Sequence, residues 1–231
     1  MLVFRYLWIA LYAGREVFAG VTIEQTITYI TMSMVINPLF PNSLIPEVNA
    51  RIRSGNVLFD IARPMHYSNL LFFQTVGKSL ARFFTSSLPL FIFICLTMKT
   101  ALPTSVLIWS AFLISLILSF FIAFLIDFIA SLSGFWITEI GGIRFLKWSM
   151  TDVLSGAYIP LWIFPPAFKK VVLILPFRAI HYTPLSILVG KIDVHQIPSE
   201  FGFQLIWIAI LFSLSSLFYA SVVKKLAVQG G

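Results

Sequence analysis

The sequence predicts an all-α integral membrane protein with six transmembrane helices. Three observations lead there. Hydrophobic residues fill 59% of the 231 positions and charged residues only 11%. The apolar residues gather in long runs divided by short polar joints, and one of these runs, residues 106–126, carries no charge. A run of roughly 20 apolar residues crosses the hydrocarbon core of a bilayer as a helix. No stretch is long and polar enough for a soluble domain, so residues 1–231 are expected to form a single transmembrane domain.

The first run, residues 1–13, covers about two-thirds of a crossing, so the first span is expected to be short or truncated. Gly14, Arg15 and Glu16 break it. Arg5 inside the run and the lack of a small-residue cleavage site argue against a secretory leader. Thr22 and Gln25 read as a capping box that opens the second helix. Asn37-Pro38 and Pro41 end or kink that helix near Phe40. The longest polar stretch, residues 46–82, follows. The third span is expected over residues 80–98 with a kink at Pro89, and the fourth over 105–130 after a tight turn at 99–104. A glycine-containing joint at 133–147 leads to a fifth crossing at 148–164, interrupted by Asp152, Gly156 and Pro160. Five prolines then chop residues 165–202 into short apolar pieces, a pattern suited to a re-entrant or interfacial segment. The last span, 203–223, stops at Lys224-Lys225.

The net charge of +7 lies mainly at span ends, where basic residues set topology and meet anionic lipid. No basic stripe with interleaved aromatics marks a soluble face, so nucleic acid is not an expected partner. With both termini in the cytoplasm, the inner joints hold nine Lys and Arg and the outer side six. The expected location is a cell (inner or plasma) membrane, multi-pass.

No catalytic or nucleotide-binding signature is present. Gly190-Lys191 lacks the upstream glycine of a phosphate-binding loop, and no H-E-x-x-H or G-x-S-x-G occurs. His66, His181 and His195 have no metal-ligand spacing and read as interfacial or packing residues. No catalytic residue, metal or cofactor is therefore expected, and any ATP must be handled by another subunit. Cys95, the single cysteine, lies in an apolar run and reads as a small packing residue. Asp127 and Asp152 are candidate ion-coupling carboxylates, but both sit near helix ends, where snorkelling or capping also explains them. Ala111, Ser115, Ser119 and Ala123 share one helix face, and Ala209, Ser213, Ser216 and Ala220 share another. Such faces allow close helix approach, either within the chain or to a second subunit.

Residues 47–67, EVNARIRSGNVLFDIARPMHY, are too many for a tight turn and too few for a domain. A short amphipathic helix fits, with Val57, Leu58 and Ile61 on one side and Arg53, Asp60 and Arg63 elsewhere. It could rest on lipid headgroups or dock a cytoplasmic partner.

Four features together resemble the membrane subunits of type-2 ATP-binding-cassette exporters, in particular bacterial drug- and viologen-type permeases. They are SGNVLFDIARPMHY before the third span, the run WSMTDVLSGAYIPLWIFPPAFKKVVLILPFRAIHYTPLSILVGK, the terminal LAVQGG after a basic pair, and the order of spans. The likeness covers nearly the whole chain. One departure is the start, since members of that family usually begin with an interfacial helix and a full first span. The resemblance implies a permease domain that pairs with a second permease subunit, as homo- or heterodimer, above cytoplasmic ATP-binding subunits. It also implies that the 47–67 loop couples to the ATPase through Glu47, Arg51, Arg53, Asp60 and Arg63 as exposed polar contacts, and that residues 165–202 form an outer re-entrant gate. The other reading weighed is an ion-gradient-driven secondary transporter, which needs a carboxylate at mid-membrane depth.

Overall fold

The capping box at Thr22 forms as expected. The computed structural model describes residues 7, 8, 10–12, 17, 18, 20–42, 44–97, 102–137 and 139–229, with side chains to residue 225. Thr22 Oγ1 accepts from the Gln25 backbone N–H at 3.2 Å, and the Thr22 N–H donates to Gln25 Oε1 at 3.0 Å. These bonds satisfy backbone donors at the start of α1, Ile23–Ile36. A small antiparallel hairpin, β1 (Val17–Phe18) and β2 (Val21–Thr22), leads into it. Beyond Ile36 the chain tightens into a 3-10 turn, Asn37–Leu39, where Pro38 stands. The expected first span, the break at Gly14–Glu16, the turn at 99–104 and the LAVQGG tail lie wholly or partly outside the described residues.

The polar loop folds as α2, Leu44–Arg53, and α3, Val57–Ile61. The third span departs from expectation. Helix α4, Tyr67–Arg82, continues through a π-helical turn, Phe83–Ser87, into α5, Leu88–Thr97. Much of the stretch read as polar loop is thus helix. Its basic side chains are satisfied laterally: Lys78 pairs with Glu47, and Arg82 donates to Asn42. Pro89 lacks an N–H, and its ring crowds the carbonyl one turn back. The wider π turn lies immediately before it, a common way to absorb such a disruption.

The remaining helices are α6 (Val106–Leu132), α7 (Gly141–Leu154), α8 (Pro166–Val172), α9 (Tyr182–Leu188) and α10 (Ile197–Gln229). The fifth crossing is corrected. Its helix begins at Gly141 and stops at Leu154, because Gly156 adopts φ +80° and the chain turns away before Pro160. Among the described residues, three helices are long and apolar enough to cross a membrane: Tyr67–Thr97, Val106–Phe135 and Val194–Lys225. Helices α1 and α7, with 14 residues each, are shorter. At about 1.5 Å per residue they span roughly 21 Å, against a hydrocarbon core of about 30 Å. Six crossing-length helices are therefore not observed among the described residues.

Helix α6 is the hub, packing along α10, α9 and α2. Its small-residue face explains why: Ala111, Ser115, Ser119 and Ala123 are all buried, and the first use expected of them, packing inside one chain, is the one found. Gln204 of α10 enters this face. Its Nε2 lies 3.1 Å from the carbonyls of Ser115 and Ala179 and from Ser119 Oγ, while Ser115 Oγ donates to its Oε1 at 3.1 Å. The matching set on α10, Ala209, Ser213, Ser216 and Ala220, is exposed instead. Residues 165–202 consist of short pieces, as expected. Every residue of α9 is buried, and Arg178 anchors the segment to α10 through Glu200 at 2.9 Å. Large apolar side chains such as Leu96, Phe84, Phe212 and Leu217 point outward. That surface suits lipid rather than water.

Candidate functional site

Helix α3 turns the expected amphipathic pattern around. Val57, Asp60 and Ile61 stand at i, i+3 and i+4, so they share the inward face. Val57 is buried and Ile61 half-buried, but Leu58 is 56% and Phe59 74% exposed. Asp60 is therefore not an exposed contact, as the resemblance implied. It is 6% exposed, and Arg51 of α2 donates to its Oδ2 at 2.7 Å. Arg51 also donates to Gln74 of α4 at 3.1 Å, so one guanidinium ties α2, α3 and α4 together.

The other candidate residues sit around this clamp. Glu47 is half-buried and pairs with Lys78 of α4. Arg53 is exposed and reaches Glu139, beside the start of α7, at 3.3 Å. Arg63 is exposed, with its Nη2 3.6 Å from Asp60 Oδ1. All five thus gather at one end of the molecule. Lys225, near the end of α10, joins them there by donating to the Phe135 carbonyl at 2.8 Å. At Gly134 an added Cβ would stand 3.3 Å from Asn49 Oδ1 and Ile52 Cδ1 of α2, which shows how closely that helix packs on the turn after α6.

A cavity of about 600 Å³ opens beside the loop. Its wall includes Asn42 and Ile45, and Ile45 is in the first turn of α2. Arg82, Asp127, Lys147 and His181 come to it from four different segments. Asp127 is also corrected. It neither snorkels nor caps: it is 1% exposed on α6 and pairs with Lys147 Nζ of α7 at 2.5 Å. His181 is 2% exposed against the Phe40 ring, at a centroid distance of 4.7 Å, which agrees with a packing role. The sequence reading missed this convergence. No spacing rule connects residues 82, 127, 147 and 181, and only the isolated charges in apolar runs could have drawn notice.

A helical fold with an apolar outer surface and three helices long enough to cross a bilayer defines a multi-pass membrane protein. The sequence matches the ABC-2 family transporter protein family over residues 1–230. The chain belongs to that family, and so is a membrane component of an ABC-type transporter rather than an enzyme itself. The family implies association with an ATP-binding subunit and with the membrane. No curated protein and no solved structure matches the chain.

Proposed function

We propose that this chain is the permease subunit of an ATP-driven exporter of the drug- and viologen-type class. It would have six membrane passages in a bacterial inner or plasma membrane, with the shorter helices completing the crossings. Two such subunits pair above cytoplasmic ATPases. Residues 47–67 form the coupling loop, and residues 165–202 form the outer gate.

One observation carries the coupling role. Helix α2 holds the Arg51–Asp60 clamp toward its C-terminal end and contributes Ile45 to the cavity wall at its start. A helix this short moves as a rod, so a push on the loop must displace the wall. The ATPase shifts the permease between conformations only by contacting them differently. The exposed Leu58 and Phe59, flanked by Arg53 and Arg63, supply a surface for that contact. Glu47 and Asp60 act on it indirectly, by fixing the positions of α2 and α3.

The test is copurification with the cognate ATPase. Leu58→Ser combined with Phe59→Ser alters only exposed apolar positions, so insertion and folding persist. Association is expected to fall by at least about tenfold, the effect of losing roughly 1.4 kcal/mol at a contact. Undiminished association and transport in this variant would remove the docking role.

A further inference from the structure

We propose that the cavity at the loop end binds a phosphate-type anion, the polar end of an amphiphilic ligand. This rests on the permease reading and names the chemistry of its cargo. The cavity, about 600 Å³, is large enough for a headgroup with part of its tail.

Charge is the first argument. The described lining carries three basic side chains, Arg82, Arg144 and Lys147, and two acidic ones, Asp127 and Asp152. Lys147 is occupied by Asp127. Arg82 donates its Nη groups to neutral partners, Asn42 and Ser79, and forms no ion pair among the described residues, with the Glu47 and Asp127 carboxylates at longer range. The Arg144 guanidinium has no hydrogen-bond or ion-pair partner among the described residues. Two guanidinium groups thus face the cavity without a direct ion pair, against one lining carboxylate, Asp152, outside the Asp127–Lys147 pair. Arginine presents a planar fork of N–H donors that matches phosphate oxygens.

Unsatisfied polar atoms are the second argument. Buried polar groups in folded proteins are nearly always hydrogen-bonded. Here Arg82 Nε, Thr151 Oγ1 and both ring nitrogens of His181 are buried without a hydrogen-bond partner among the described residues, and all three residues line the cavity. His181 is 98% buried by the complement of its 2% exposure. An N–H, a hydroxyl and an imidazole around one space suit a ligand with several acceptor oxygens. Phe145 and Trp148 also line the cavity and are 66% and 57% exposed, which gives the ligand's apolar portion a surface to lie along.

The test uses the full chain in dodecyl maltoside, whose headgroup carries no phosphate, without ATPase or nucleotide, and calorimetric titration with dihexanoyl phosphatidic acid. Inorganic phosphate and dihexanoylglycerol, which has the same tails but no phosphate, form the other arms. Saturable binding of the phosphatidic acid is expected, with the phosphate-free analogue at least about tenfold weaker. Arg144→Gln lies at an exposed position and leaves the fold intact; it is expected to weaken binding about tenfold, as loss of one charge-assisted contact would. Arg144→Lys recovers part of that loss, and Lys169→Gln/Lys170→Gln, outside the cavity, changes nothing. Competition by inorganic phosphate identifies a free phosphate compound as the ligand; binding of the amphiphile alone identifies a lipid headgroup. Equal binding by the phosphate-free analogue, or full affinity in Arg144→Gln, overturns the proposal. No ATPase is present, so a failed docking test leaves this readout untouched, and failure here leaves docking untouched.

Discussion

Arg51 Nη1 lies 2.7 Å from Asp60 Oδ2, and this pair closes the loop between α1 and α4 into a bracket. The carboxylate is 8% exposed and the guanidinium 29%, so the pair is only partly shielded from water. Breaking such a pair strands its more buried member. Arg51→Ala, which leaves the buried Asp60 carboxylate without its nearest partner, is expected to cost about 2 kcal/mol, below the 3–5 kcal/mol typical of fully buried pairs. Thermal unfolding should show the loss, and limited proteolysis between residues 54 and 66 should become faster. If Arg51→Ala and Asp60→Ala prove strictly additive when combined, the two side chains do not act as a clamp.

The Asp127–Lys147 pair lies deeper, at 1% and 17% exposure. Lys147→Met leaves a buried carboxylate without its ion-pair partner, with only the more distant Arg82 to offset it, and is expected to destabilise by about 3 kcal/mol. Adding Asp127→Leu to that variant should restore most of the loss, since apolar replacement of a buried pair is often neutral. A double variant as unstable as the single one would show that the pair is needed for more than charge balance.

Gln204 holds α10 against α6 and the Ala179 carbonyl through several hydrogen bonds. Hydrogen bonds between membrane helices average about 0.6 kcal/mol each. Gln204→Leu is therefore expected to cost about 2 kcal/mol in all. Detergent unfolding of the purified chain measures it, and an unchanged midpoint would contradict the assigned role.

Gly156 and Gly190 both have positive φ, +80° and +71°, but their surroundings differ. A Cβ at Gly156 would stand 2.8 Å from Tyr29 Oη, whereas one at Gly190 meets nothing within 4 Å. Tyr29 Oη also donates to the Gly156 carbonyl at 2.9 Å. Gly190→Ala should cost about 1 kcal/mol from backbone strain alone. Gly156→Ala should cost more, because Tyr29 must also move; equal unfolding shifts would refute the close approach.

Orientation can be read with single cysteines in a Cys95→Ser background. Ser54 and His195 are both exposed, in the loop and in the turn before α10 respectively. With the basic end in the cytoplasm, an impermeant maleimide added to intact cells should label His195→Cys and spare Ser54→Cys. The opposite pattern would invert the topology.

The sequence by itself determined that the chain is a helical membrane protein, where α1 begins, and that residues 165–202 would break into short pieces. Each is a local consequence of composition or spacing: apolar run length, a Thr22–Gln25 pair three residues apart, and prolines that cannot continue a helix. Only the tertiary structure decided that α4 and α5 are one continuous helix, since Lys78 and Arg82 look like loop residues until Glu47 and Asn42 are brought beside them. It also turned Asp60 inward, left Phe59 outside, and assembled residues 82, 127, 147 and 181 around one cavity. These outcomes depend on contacts between segments far apart in the chain. The free energy of a charge there depends on the partner that packing supplies, which no local pattern encodes.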